Sequence, residues 1–183
     1  MTDFPLVHTA LTLADLNRIA APDFVIALDG IFEHSPWIAE RAVVRRPFGS
    51  LDALHGALVA AMWAATPDEQ RDLLCAHPEL AGREADAGTL TDHSTGEQDS
   101  AGLTRLSPGE KQRILQLNAT YRDRHGFPFI IAVKLRTKRQ IFAEFERRLN
   151  NTPDVEFGTA LAEVGRIARI RLDALLSAAP VQA

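Results

Sequence analysis

Three complete capping boxes punctuate the chain: Thr66-Pro-Asp-Glu69, Ser107-Pro-Gly-Glu110 and Thr137-Lys-Arg-Gln140. In such a box the first hydroxyl accepts from the backbone N–H three residues on, and the closing Glu or Gln reaches back to the cap's own N–H. Two donors that a helix start leaves orphaned are thereby satisfied. Further starts stand at Thr12 with Asp15, Ala21-Pro22-Asp23, Ser35-Pro36-Trp37, Ser50 and Thr152-Pro153. Behind these starts apolar residues recur with the 3.6-residue helical period: Leu51, Leu54, Leu58, Ala61 and Met62; Ile114, Leu117 and Tyr121; Ile141, Phe142, Phe145 and Leu149. The punctuation predicts an all-α fold.

At about 11 residues per helix the chain accommodates about seven to nine. Its 183 residues suit a single compact domain over 1–183. Phe127-Pro-Phe-Ile-Ile-Ala-Val133 has the composition of a buried strand, but an isolated strand would lack a ladder partner, so the segment is read as helix from Pro128. In the final helix Leu161, Val164, Ala168, Leu172 and Leu175 share one arc, with Glu163, Arg166, Arg169 and Asp173 opposite. Arg171 projects into the edge of the apolar arc, where a guanidinium is rare unless paired or holding an anion.

Charge narrows the function classes. Residues 1–100 hold 6 basic and 16 acidic side chains and residues 101–183 hold 14 and 8, for a net −4. The basic run Lys134-Leu-Arg-Thr-Lys-Arg139 has no interleaved aromatics, which argues against a nucleic-acid partner and suits a small anionic substrate. Cys75 is the single cysteine and reads as a core filler, so neither a disulfide framework nor a Cys-based zinc site is available. The start has no signal-peptide pattern, no apolar run reaches membrane-spanning length, and Pro-Val-Gln-Ala at the end is no peroxisomal address. A cytoplasmic location is expected.

The chemistry-bearing residues gather in Ala76–Leu103, which brings together His77, Glu79, His93, Ser94, Glu97, Gln98, Asp99 and Ser100. With Leu80, Leu90 and Leu103 as anchors it reads as a long ordered loop. His77, at a helix end before Pro78, can exchange a proton near neutral pH, and Glu97 can orient it. Each also fits a plain role, a helix-terminal histidine and a solvated acid. His93 and Glu97 at i, i+4 could bind metal with His77, although no HExxH surrounds them. Neither a phosphate-binding glycine loop nor a GxSxG elbow is present. From spacing alone the chain supports a proton-transfer site in an all-α domain.

Several separated motifs extend this. Phe32-Glu-His-Ser-Pro-Trp37, Arg46-Pro-Phe48, His77-Pro-Glu-Leu-Ala-Gly82, Gly88-Thr-Leu-Thr91, Glu97-Gln-Asp-Ser-Ala-Gly-Leu103, Tyr121–Phe129 and Arg171-Leu172 together resemble the OHCU decarboxylase family, over about residues 12–176. OHCU is 2-oxo-4-hydroxy-4-carboxy-5-ureidoimidazoline. The resemblance implies an all-α, cofactor-independent carbon–carbon lyase, commonly a homodimer. Such an enzyme acts after urate oxidase and hydroxyisourate hydrolase in urate degradation, releasing CO2 to give (S)-allantoin. It implies catalytic roles for His77 and Glu97 and a substrate site shaped by Pro78, Ser94, Gln98, Phe127, Phe129, Ile131 and Arg171, with no metal. The peroxisomal tail common in eukaryotic members is missing.

Two alternatives stand beside it. One is a metal-dependent ureide amidohydrolase using His77, His93 and Glu97. The other is a non-catalytic helical module that binds a small anion or a partner protein, with Arg171 neutralised by a core carboxylate.

Overall fold

Most helices begin where the caps put them; at Ser35-Pro36-Trp37 the helix starts at Trp37, with Pro36 in the cap position and no side-chain cap from Ser35. The computed structural model describes residues 11–177; the readings of the start and of the Pro-Val-Gln-Ala end lie outside them. In order the helices are α1 Leu13–Arg18, α2 Ala21–Ala27, α3 Trp37–Ala42, α4 Leu51–Trp63, α5 Pro67–Cys75, α6 Arg83–Ala87, α7 Asp92–Ser100, α8 Pro108–His125, α9 Lys138–Arg148 and α10 Pro153–Ser177. Single 3-10 turns occur at Val43–Arg45, Leu103–Arg105 and Val133–Leu135. Among the described residues there is no strand, so the fold is all-α. Three of the ten helices are short pieces of five or six residues.

All three boxes form as expected, at α5, α8 and α9, and Thr12 with Asp15 forms a fourth at α1. Ser50 caps α4 and Gly126 ends α8 in the left-handed conformation, φ 79°. The long α10 packs against α4, α5 and α8 and α3 lies on α4, burying Ile38, Leu54, Leu58, Met62, Leu73, Ile114, Leu161, Val164 and Leu172. Among the described residues no helix is long and apolar enough to cross a membrane.

Three local readings are corrected. Residues 128–132 form neither helix nor strand. Buried and half-buried side chains replace the missing ladder. Arg148 Nη1 donates to Ile130 O at 2.8 Å, the Ala132 N–H donates to Glu163 Oε2 at 2.8 Å, and Arg136 Nη1 donates to Ala132 O at 3.1 Å. Glu163, expected on the open side of α10, is therefore buried, because this segment covers it. Cys75 is exposed, its thiol 3.6 Å from Gly126 O.

Candidate active site

The stretch expected to be a long loop contains α7. Thr91 caps it, its Oγ1 accepting from Ser94 N at 3.3 Å. No apolar stripe marks this helix because its buried face is polar: Ser94, Glu97 and Gln98, at i, i+3 and i+4, are all buried. Polar groups taken out of water need partners, and each of the three has one.

Gln98 serves the turn that follows His77. Its Oε1 accepts from Ala81 N at 2.8 Å and its Nε2 donates to Glu79 O at 3.4 Å. Asn118 Nδ2 donates to Leu80 O at 2.9 Å and Lys111 Nζ to Ala81 O at 2.7 Å. These bonds hold Ala81 at φ 47°, a left-handed conformation that alanine adopts only under such constraint. At Gly82 a Cβ would stand 2.7 Å from Cβ of Glu79, so only glycine fits. The His77-Pro-Glu-Leu-Ala-Gly82 run is thus a rigid bracket.

His77 is buried at one end of that bracket. Its Nδ1 lies 2.9 Å from Leu73 O. A carbonyl can only accept, so Nδ1 carries the proton and Nε2 keeps the lone pair. Burial pushes the imidazole down to about 4, against the opposing pull of the Leu73 carbonyl and of Glu33 and Glu97. The ring is neutral at pH 7, a base oriented by backbone; Glu97 makes no hydrogen bond to it.

Glu97 is engaged by α10. Arg171 Nε and Nη2 donate to its two carboxylate oxygens at 3.0 and 2.9 Å, a side-on bidentate pair. The same guanidinium donates to Gly30 O at 2.8 Å, to Glu33 Oε1 at 2.9 Å and to Ser94 Oγ at 3.4 Å. Arg171 is 2% exposed, a buried guanidinium paired with two carboxylates. One Nη1 hydrogen is left for a ligand.

These side chains line one half-open cleft of about 360 Å³, including the space at its mouth. Of the expected site residues, His77, Pro78, Ser94, Glu97, Gln98, Ile131 and Arg171 meet there. Phe127 and Phe129 do not. Phe129 stacks on Phe145 at 3.8 Å under the Arg148 guanidinium, and Phe127 is edge-on to Tyr121 and Phe157 at 5.9 Å; both support the irregular wall from behind. Leu80, Ile130, Val133 and Ile167 complete the lining. The sequence does not mark them as site residues, because apolar residues in an apolar context carry no such signal. Glu33 was also missed, although it lies within Phe32-Glu-His-Ser-Pro-Trp37. His93 is exposed on α7, and no three His, Cys, Asp or Glu side chains among the described residues are grouped to hold a metal ion. The donor set of the amidohydrolase alternative is not assembled.

A family model described as OHCU decarboxylase matches residues 17–173. A 2-oxo-4-hydroxy-4-carboxy-5-ureidoimidazoline decarboxylase of Haloferax volcanii is 46% identical over 162 residues, which cover 88% of this chain and 94% of that protein. The uric acid degradation bifunctional protein of Bacillus subtilis is 44% identical over 88% of this chain, and the match spans 32% of that protein. A crystal structure of (S)-allantoin synthase superposes with a TM-score of 0.71 at 31% identity, covering 91% of this chain and 54% of that one. Most of this chain, its polar cleft included, lies within the matched region, and the chain belongs to the OHCU decarboxylase family.

Proposed function

We propose that the cleft decarboxylates OHCU to (S)-allantoin in urate degradation, with His77 as the base. The observation that carries this reading is the state of His77: buried, neutral, its tautomer set by Leu73 O, and placed in the wall of the cleft.

The C4–carboxylate bond breaks and CO2 leaves. The bond's electron pair forms a C4=C5 double bond, and the former ring C=N pair moves onto its nitrogen, which takes up a proton. The substrate is thus its own electron sink. His77 Nε2 removes the proton of the resulting enol hydroxyl; as the C4 carbonyl forms, the C4=C5 pair moves to C5 and takes a proton on one face, which sets the S configuration. Glu97, immobilised by Arg171, supplies the negative charge beside which the imidazolium exists. Ser94 and the walls around Pro78 and Ile131 shape the space, Phe127 and Phe129 support the wall, and Gln98 holds the bracket.

Arg171 is committed to two carboxylates, so it does not bind the departing carboxylate. Binding it would stabilise the ground state more than the transition state and slow the step. The reading extends to a single catalytic domain, a homodimer in the cytoplasm, and supply of OHCU by urate oxidase and hydroxyisourate hydrolase. A bifunctional relative in uric acid degradation supports that pathway coupling.

OHCU decays on its own to racemic allantoin, so chirality is the observable. With OHCU generated in situ from urate by the two upstream enzymes, added protein should give a growing (S)-allantoin circular dichroism signal. An optically silent product at the uncatalysed rate would refute the reading and favour the binding-module alternative.

A further inference from the structure

Glu33 has no part in the reaction as written above, yet it is buried against the same groups. It stands in the turn after α2, three residues beyond Gly30, and is 1% exposed. Its Oε1 accepts from Ser94 Oγ at 2.6 Å, Arg171 Nη2 at 2.9 Å and Thr91 Oγ1 at 3.3 Å. Burial pushes its carboxyl up, but the Arg171 charge and the Ser94 hydroxyl outweigh burial and hold it below the usual carboxylate range. Glu33 is ionised at neutral pH.

Two features follow. Gly30 O and Glu33 Oε1 take Nη1 and Nη2 of Arg171 from one turn, while Glu97 takes Nε and Nη2 from α7. The guanidinium plane is fixed from both sides, so Glu97 cannot swing. The charges that act on His77 are those of Glu33, Glu97 and Arg171. Two carboxylates against one guanidinium leave one negative charge over.

We infer that Glu33 is a positioning residue for the decarboxylation: it locks Arg171 as an internal counter-ion and supplies the uncompensated charge against which the His77 imidazolium forms. The inference rests on the reading of His77 as the base. The surplus charge acts in two ways. It opposes the substrate carboxylate in the ground state, an opposition relieved when that group leaves as neutral CO2, and it favours the imidazolium that appears as the proton transfers. Both effects raise kcat rather than lower KM.

The test is Glu33→Gln, which keeps an acceptor for Ser94 and Arg171 but removes the charge. It is assayed by circular dichroism kinetics on OHCU and by NMR titration of the His77 imidazole. Expected are a fall in kcat of at least about tenfold, KM unchanged or lower, and a His77 titration moved to lower pH. A packing role alone would raise KM or lower Tm and leave the titration in place; that pattern, or kcat within about twofold of the parent, overturns the inference. Should Glu33→Gln fail to fold, Glu33→Asp decides, since it keeps the charge but shortens the reach to Arg171. Lower kcat at parental KM supports the inference, and parental kcat overturns it. His77→Ala in the same assay separates the two failures. An inactive His77→Ala beside a normal Glu33→Gln sinks the Glu33 role alone, whereas an active His77→Ala sinks the base assignment.

Discussion

Removing the charge of Glu156 is expected to destabilise the protein by about 3–5 kcal/mol, the cost of leaving a buried partner charge uncompensated. Glu156 and Arg148 are 0% and 1% exposed. Oε1 of Glu156 accepts from Arg148 Nε and Nη2 at 2.8 and 2.5 Å and from the Tyr121 hydroxyl, and Oε2 accepts from Asn151 Nδ2 at 2.6 Å. Burial and the Glu156 carboxylate raise the Tyr121 phenol, so it stays protonated and donates. Glu156→Gln would leave the guanidinium facing a neutral amide. For a chain of this length each kcal/mol lowers Tm by about 2–4 °C, giving a drop of about 6–20 °C. The double variant Arg148→Met/Glu156→Gln removes both charges and should lose less than the two single changes summed, with a coupling of about 1–3 kcal/mol. The assay is urea unfolding of the four-member cycle. Because Arg148 also holds Ile130 O, Arg148→Met should raise KM as well. A Glu156→Gln variant within about 1 kcal/mol of the parent would refute the reasoning.

Two further outcomes follow from the cleft. The folded His77 pKa, about 4, lies below its ordinary 6.5. Between these values the unfolded chain binds a proton that the folded one does not, so His77 contributes its stability above about pH 6.5 and loses it as pH falls toward about 4. The loss amounts to about 3 kcal/mol. Urea unfolding at the two ends of that window should show the slope, and His77→Gln should flatten it. Gln98→Ala leaves the Ala81 N–H unsatisfied, at about 1–3 kcal/mol, and releases the bracket that carries His77. Its kcat should fall while far-ultraviolet dichroism stays helical, and unchanged kcat would contradict the bracketing role.

The helices that announce themselves do so through local chemistry. Boxes at Thr66, Ser107 and Thr137 need only their own four residues, so they can be read without knowledge of the tertiary structure. Helix α7 is hidden for the opposite reason: its buried side is Ser94, Glu97 and Gln98, and an apolar period cannot report a face that packs on a polar site. The segment 128–132 defeats the argument from ladder partners because its partners are Arg148, Glu163 and Arg136, side chains remote in sequence. Arg171 was visible as a charge on an apolar arc. The second carboxylate that completes its pairing, Glu33, sits in a turn where an acid is unremarkable until the fold brings it to Ser94. Motif resemblance located His77 and Glu97 together but could not show that Leu73 O, and not Glu97, orients the imidazole.

The most direct test of the account is the initial rate of (S)-allantoin dichroism with His77→Ala beside the parent protein, at equal folded concentration and with OHCU generated in situ. With His77 as the base, the parent gives a strong signal and the variant only the optically silent product of spontaneous decay. An (S)-allantoin signal from His77→Ala growing at the parental rate would contradict it.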